Sequence, residues 1–307
     1  MNRDTRQAKT TRVIAVWSHS LREPAIAAAS RFVEVLADHG FLCLVRDELL
    51  SEFARRAPSA QMAAITPASL PEAEVIVVFG GDGTILRAAE WALEADIPVL
   101  GVNLGHVGFL AELEISQSAE LVDHVVRRDY VVERRFTVTV ALFEPGAAEA
   151  AWESVAINEV SLEKASRQMM IDALVSIDGL PVSRWACDGV LASTPTGSTA
   201  YAFSAGGPVM WPELEALQVV PISAHALFAR AMVIGPDSWV WFDVMGTTPG
   251  VLWCDGSRSV DVTPGSRVVI RRGLDLTVAR LSVQPFTSRL VKKFALPIEG
   301  WRGEGRN

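Results

Sequence analysis

The sequence predicts a two-domain α/β protein, a parallel α/β domain followed by a β-rich one, and three observations carry that reading. The chain has 307 residues, more than the roughly one to two hundred of a typical domain. Apolar residues make up 50% of it and charged residues 21%, a balance that builds folded cores and excludes a wholly disordered chain. The texture also changes along the chain: strands and helices alternate up to about residue 129, and from there short strands separated by turn residues take over.

Taken in order, the β-rich run 13–17 leads into 23–37, where Ile26, Phe32, Val33, Leu36 and Ala37 recur at helical spacing until His39-Gly40 stops them. Residues 41–45 read as a second buried strand, and 47–71, polar, alanine-rich and broken by three prolines, as a variable crossover. The continuous apolar run 75–79 predicts a third strand, and the helix after its glycine loop is read over 85–93. A strand at 98–102 and a helix at 113–126 follow. Such alternation implies a parallel sheet with helices on its faces, so this half is Rossmann-like. Beyond it, the runs 131–143, 152–162, 171–177, 181–185, 239–245, 251–254, 266–270 and 276–281 read as strands of a sandwich-like domain, with Asp178-Gly179 as a hairpin signal. The domains expected are 12–129, 130–282, and a tail, 283–307, that packs back on the first.

Composition narrows function further. Lys and Arg total 28 against 36 for Asp and Glu, a net charge of −8, which argues against nucleic acid as a partner. Cys43, Cys187 and Cys254 are too few and too scattered for a disulfide framework or a metal site, so a reducing compartment is expected. No export signal is visible in residues 1–12, and no apolar run approaches the roughly 20 residues that cross a bilayer. The expected location is therefore the cytoplasm, with no membrane partner.

Gly80-Gly-Asp-Gly-Thr84 lies where a buried strand turns into a helix, the edge at which parallel α/β sheets bind ligands. Glycines let the backbone approach a phosphate, and the helix N-terminus adds partial positive charge. Asp82 is the unexpected residue: a carboxylate beside phosphates must take a proton, hold a sugar hydroxyl or recruit a metal. An ordinary turn explains the loop equally well. It is neither a P-loop nor the dinucleotide fingerprint, because no Lys-Ser/Thr follows and Leu86 stands three places after Gly83. Asn158-Glu159 says little alone, since about one such dipeptide is expected by chance in a chain this long. Between Ser193 and Tyr201 stand five hydroxyl residues around Pro195 and Gly197, ahead of a helix read from about Ala200. A helix cap needs one hydroxyl, so the surplus favours binding.

These three segments, the last of them taken from Asp188 to Tyr201, with Asn103-Leu-Gly-His-Val-Gly-Phe109 and Ser204-Ala-Gly-Gly-Pro208, in this order and spacing, resemble the NAD kinase family. The likeness runs over nearly the whole chain and is nearest to actinobacterial members. It implies transfer of the γ-phosphate of ATP, or of polyphosphate in some members, to the 2′-hydroxyl of the adenosine ribose of NAD. It also implies Mg²⁺ or another divalent metal and a homodimer or homotetramer. Carried over by position, Asp82 matches the base that takes the hydroxyl proton, with Gly83 beside it on the dinucleotide. Asn158 and Glu159 match the pair holding adenine and ribose, and Asp188 a carboxylate that contacts the ligand near a subunit boundary. Thr196, Ser198, Thr199, Ala200 and Tyr201, with Ser204 beyond them, match the adenine pocket, and Phe109 an aromatic position near the ligand. Arg87, Lys164 and Arg167 are phosphate candidates, although Glu163-Lys-Ala-Ser-Arg167 departs from the glycine- and proline-containing versions of relatives. Asp255-Gly256 resembles a second carboxylate loop near the reacting centre, although Asp-Gly turns are common in β domains, and His106 stands where relatives often carry Arg. Two alternatives remain open here: a sugar or lipid kinase with the same glycine loop, and a non-catalytic NAD(H)-binding sensor.

Overall fold

A computed structural model describes residues 11–103, 108–114, 118–281 and 285–297. The chain forms two units: Met1–Glu133 with Thr277–Asn307, and Arg134–Leu276.

In the first unit, continuous apolar runs become strands that helices cover on both faces. β1 (Val13–Ser18), β2 (Leu42–Val45), β3 (Gln61–Ala64), β4 (Ile76–Phe79) and β5 (Val99–Asn103) lie in the order β3-β2-β1-β4-β5, every pair parallel. β1, β4 and β5 are buried throughout. The order reverses at β1, whose neighbours are β2 and β4, so the loop after β4 opens beside the switch point where such sheets take ligands. α1 (Glu23–Asp38) buries Ala25, Ile26, Ala29, Phe32, Val33 and Leu36 on one stripe and ends before Gly40, whose φ of +75° only glycine adopts freely.

The interval 47–71, expected as a variable crossover with no element assigned, holds α2 (Leu50–Arg56) and β3. Its short elements hide in the sequence because β3 is a half-exposed edge strand and α2 buries Phe53 alone. α3 (Asp82–Ala95) begins three residues before the helix read from sequence. β6 (Ala111–Glu114) pairs with β5, and α4 (Ser118–Arg127) follows. The run 131–143 divides: β7 (Val131–Arg135) joins the first sheet, where Val131 and Val132 remain exposed, and only the rest belongs to the β-rich unit.

That second unit is a sandwich of antiparallel sheets. One has the order β12-β11-β16-β19-β8-β9, built from β8 (Val138–Phe143), β9 (Trp152–Ala156), β11 (Ile171–Ile177), β12 (Leu180–Cys187), β16 (Val240–Met245) and β19 (Arg267–Arg272). The other runs β15-β14-β13-β10-β17-β18, from β10 (Glu159–Lys164), β13 (Gly189–Ser193), β14 (Leu217–Ile222), β15 (Met232–Ile234), β17 (Gly250–Cys254) and β18 (Arg258–Val262). Alternate residues such as Val138, Val140 and Leu142, Val160 and Leu162, and Phe242 and Val244 meet in one core between the sheets. Asp178 and Gly179 both have positive φ, 52° and 81°, as a two-residue turn between β11 and β12 requires. The four-residue α5 (Tyr201–Ser204) follows a 3₁₀ turn at Thr196–Thr199.

β20 (Leu276–Arg280), read from sequence as part of the β-rich domain, is instead a strand of the first sheet, between β5 and β7. The boundary between the units accordingly falls at 276/277 and not at 282. Alternation alone does not tell which sheet a strand will join. α6 (Phe286–Phe294) belongs to the first unit, where buried Arg289 donates to the carbonyl of Phe109 at 3.3 Å. Phe109 is thus packed between Phe286 and Phe294, with ring centroids 5.7 and 5.9 Å away.

Candidate functional site

In the first unit the site grows from the β4–α3 turn. Gly81 caps the helix in an extended conformation, and its carbonyl accepts from the amides of Thr84 at 2.8 Å and Ile85 at 3.1 Å. Asp82 therefore occupies the first helical position, at the positive end of the helix dipole. Two glycines make room there. A Cβ on Gly80 would lie 2.5 Å from Thr84 Cβ, and one on Gly108 would lie 2.3 Å from Asp82 Oδ1. Gly81 and Gly83, by contrast, have nothing within 4 Å of an added Cβ, so packing does not require them. Asp82 Oδ2 accepts a long bond, 3.4 Å, from the Phe109 amide, while Oδ1 is buried without a partner. Leaving a buried oxygen unpaired costs about 1–3 kcal/mol, which a turn with only a structural job would avoid.

Arg87 is exposed and donates to the carbonyl of Gly83 at 3.3 Å. It is one of three arginines whose charge reaches His19. Burial first, then Arg22, Arg87 and Arg46, holds that imidazole below its ordinary range. Arg46 also reaches the carbonyl of Ser18 at 3.4 Å, lies over the Trp17 ring at 4.8 Å and pairs with Glu48. Arg22 and Arg46 belong to no motif, and their signal in the sequence is position alone, since Arg46 directly follows β2 and Arg22 precedes α1, at the edge where such sheets take ligands. His106 lies outside the described residues.

In the second unit, Asn158 and Glu159 sit where the chain passes from β9 in one sheet to β10 in the other. Glu159 is buried, and its carboxyl is pushed up to about 8 by burial first and then by the charge of Asp255, against a hydrogen bond from the Tyr201 amide. Its Oε2 is buried with no partner, and so is Thr196 Oγ1. The hydroxyl segment presses on this turn: Thr194 Oγ1 donates to the carbonyl of Ile157 at 2.6 Å and the Thr194 amide to that of Asn158 at 2.9 Å. Burial, followed by the charges of Glu163, Glu159 and Asp188, raises the Tyr201 phenol.

Ser198 is different. Its fully buried hydroxyl donates to Pro195 and accepts from the Met210 amide, so it braces the turn from within. Thr199 and Ala200 are half-buried beside it, and Ser204 is exposed at the end of α5. Asp188, between β12 and β13, pairs with Lys164, whose hydrogen bond holds the carboxylate below the usual range with help from Ser223 and His225. His225, which the sequence reading passed over, carries no motif that marks it. Arg167 is exposed and meets Lys164 only through its backbone carbonyl, at 3.4 Å. Among the described residues, no group of three or more His, Cys, Asp or Glu could hold a metal ion.

A Rossmann-like unit with a glycine loop, followed by a β-sandwich with unpaired buried oxygens on a tight turn, defines a nucleotide-binding protein. Comparison with known proteins makes this specific. The family model described as the ATP-NAD kinase N-terminal domain matches residues 13–130, and that of the ATP-NAD kinase C-terminal domain matches 157–278. The chain is 53% identical over 300 residues to the NAD kinase of Cutibacterium acnes, covering 97% of this chain and 93% of that one. It is 46% identical to the NAD kinase of Thermobifida fusca, at 96% and 92% coverage. With NAD kinase 2 of Streptomyces coelicolor it shares 47%, at 95% and 97%. Yeast NADH kinase complexed with NADH superposes with a TM-score of 0.86 at 18% identity, over 95% of this chain and 89% of that one. An NAD kinase from Archaeoglobus fulgidus in complex with ATP gives 0.68 at 24%, over 93% and 99%. The chain belongs to the NAD kinase family and is an NAD⁺ kinase by activity.

Proposed function

We propose that the chain makes NADP by moving the γ-phosphate of ATP to the 2′-hydroxyl of the adenosine ribose of NAD, with Asp82 as the base. The observation that carries this reading is the unpaired, buried Oδ1 of Asp82 on the first turn of α3. A ribose hydroxyl is a poor nucleophile until a positioned group removes its proton. In this step Asp82 takes that proton, the 2′-oxygen forms a bond to the γ-phosphorus, and the bond to the β,γ-bridging oxygen breaks to release ADP. Gly83, bare toward solvent, lets the dinucleotide approach the backbone, and Arg87 meets phosphate with Arg22 and Arg46 in support.

Asn158, Glu159, Thr196, Thr199, Ala200 and Tyr201 hold adenine and ribose, with the Glu159 and Thr196 oxygens left free for ligand groups. Ser198 contributes by shaping the turn, while Asp188, Arg167 and Ser204 act at the rim. The NADH of the yeast kinase structure and the ATP of the archaeal one are ligands of the classes this reading requires. Mg²⁺ would arrive with the donor, because magnesium commonly binds through substrate phosphates, and when bound would neutralise part of their charge. The protein works as a homodimer or homotetramer in the cytoplasm, where reducing conditions suit three buried free cysteines.

The test is NADP formation from NAD, ATP and Mg²⁺, read by an NADP-specific dehydrogenase, with polyphosphate replacing ATP in a second arm. Turnover that needs NAD and a phosphate donor is expected. NAD binding without turnover would overturn the kinase reading in favour of a sensor, and turnover only with a sugar or lipid acceptor would move the chain to another kinase class.

A further inference from the structure

We propose that Asp255 is a positioning residue of the NAD site, whose carboxylate gathers the backbone amides of Ile157, Asn158 and Glu159 and so fixes how Asn158 and Glu159 are presented. The proposal rests on the reading of that pair as the dinucleotide-binding one.

The need arises from the topology. Between β9 and β10 the chain changes sheets, so Ile157 and Asn158 lie outside both strands and Glu159 opens β10, and their amides need partners other than the carbonyls of a regular ladder. One side chain supplies replacements. Asp255 Oδ1 accepts from Ile157 at 3.1 Å, Asn158 at 2.7 Å and Glu159 at 3.2 Å, and Oδ2 accepts from Ile157 at 2.9 Å. The remaining capacity of Oδ2 meets Arg258 Nη2 at 3.2 Å. In return the Asp255 amide donates to the carbonyl of Glu159 at 3.0 Å. Antiparallel register brings them together: Val160 faces Cys254 across β10 and β17, so the next pair outward is Glu159 and Asp255.

Two features mark this as more than a convenient turn. The Asp255 side chain is fully buried, and a buried carboxylate is costly unless donors surround it. Its backbone also sits at φ +50°, a left-handed conformation that few residues other than glycine, Asn and Asp adopt. From the opposite side Thr194 takes the carbonyls of Ile157 and Asn158. The turn is thereby held through its amides by Asp255 and through its carbonyls by Thr194. The side chains of Asn158 and Glu159 remain free of that backbone work.

Asp255→Asn, Glu159→Gln and the double variant, made in the full chain, test this by steady-state kinetics in NAD and in ATP. Each single substitution is expected to raise KM for NAD by about tenfold and leave KM for ATP within about twofold, with a double-variant effect well short of their product, as for groups acting through one structure. Gly146→Ala, which strains the β8–β9 turn of the same unit at φ +76° and leaves the Asp255 loop untouched, is expected to lower Tm with KM for NAD unchanged. Multiplying effects, or a Gly146→Ala variant that raises KM for NAD as much as Asp255→Asn does, would overturn the proposal. Loss of the effect in Glu159→Gln alone would overturn the dinucleotide reading and the proposal with it, whereas loss in Asp255→Asn alone would overturn only the proposal. Amide exchange in the wild type needs no variant to fold. The amides of residues 157–159 should be protected like those within β10, and exchange at exposed-loop rates would refute the role.

Discussion

Gly197→Ala probes the contact between the hydroxyl segment and the Asn158–Glu159 turn. An ideal Cβ at Gly197 would lie 2.1 Å from the carbonyl oxygen of Asn158, 2.4 Å from its carbonyl carbon and 2.7 Å from its Cα. Ordinary contact begins at 3.4 Å, so the segments must part by 3.4 − 2.1 = 1.3 Å, and reaching even the 3.0 Å limit takes 3.0 − 2.1 = 0.9 Å. Every obstructing atom is backbone, so no side-chain rotation relieves the clash. Overpacking of this kind costs about 1–3 kcal/mol, which in a protein of this size lowers Tm by roughly 2–4 °C per kcal/mol. The larger effect falls on function, because a displacement of about 1 Å in a binding turn can reduce kcat/KM about a hundredfold. Steady-state kinetics in NAD, with Tm measured in parallel, reads both. A variant of wild-type kcat/KM for NAD would refute the claim that these segments are held together for binding.

Gly83→Ala should behave in the opposite way. With nothing near the added Cβ and the residue inside α3, Tm should hold or rise by the equivalent of up to about 1 kcal/mol, while KM for NAD increases at least several-fold; unchanged kinetics would remove Gly83 from the site. Glu159 predicts a pH dependence of the ligand-free protein. Its carboxyl titrates near 8 when folded, against an ordinary 4.5, so the folded state binds the extra proton between those values. The stability this contributes is complete below about pH 4.5 and lost as pH rises through 8. Tm should therefore fall between pH 5 and 9 more steeply for the wild type than for Glu159→Gln, and parallel curves would show that Glu159 is not buried as described.

Much of this was legible because strong local signals and tertiary packing agree. The apolar run ending at Phe79 could only be a strand covered on both faces, and Asp178-Gly179 could close a hairpin because both residues tolerate positive φ. Where packing decides between equal local choices, sequence falls silent. β20 alternates like its neighbours yet joins the other sheet, and β3 carries too little apolar surface to show as a strand. The same holds within the site. Gly80-Gly-Asp-Gly reads as a turn, so nothing local says that Asp82 already begins the helix. Ser198 carries the same hydroxyl as its neighbours, but only the fold shows it occupied by Pro195 and Met210. Asp255 is about a hundred residues from the amides it holds, a pairing that only β10–β17 register reveals.

If Asp82 takes the proton from the attacking hydroxyl, as proposed, Asp82→Asn compared with the wild type isolates that step. The amide keeps the shape and the oxygen near the Phe109 amide but gives up the base. With the base gone, kcat for NADP formation should fall by at least about a hundredfold, the scale of general-base catalysis, with NAD affinity within a few-fold of wild type by calorimetry. A kcat close to wild type, or a loss confined to NAD affinity, would contradict it.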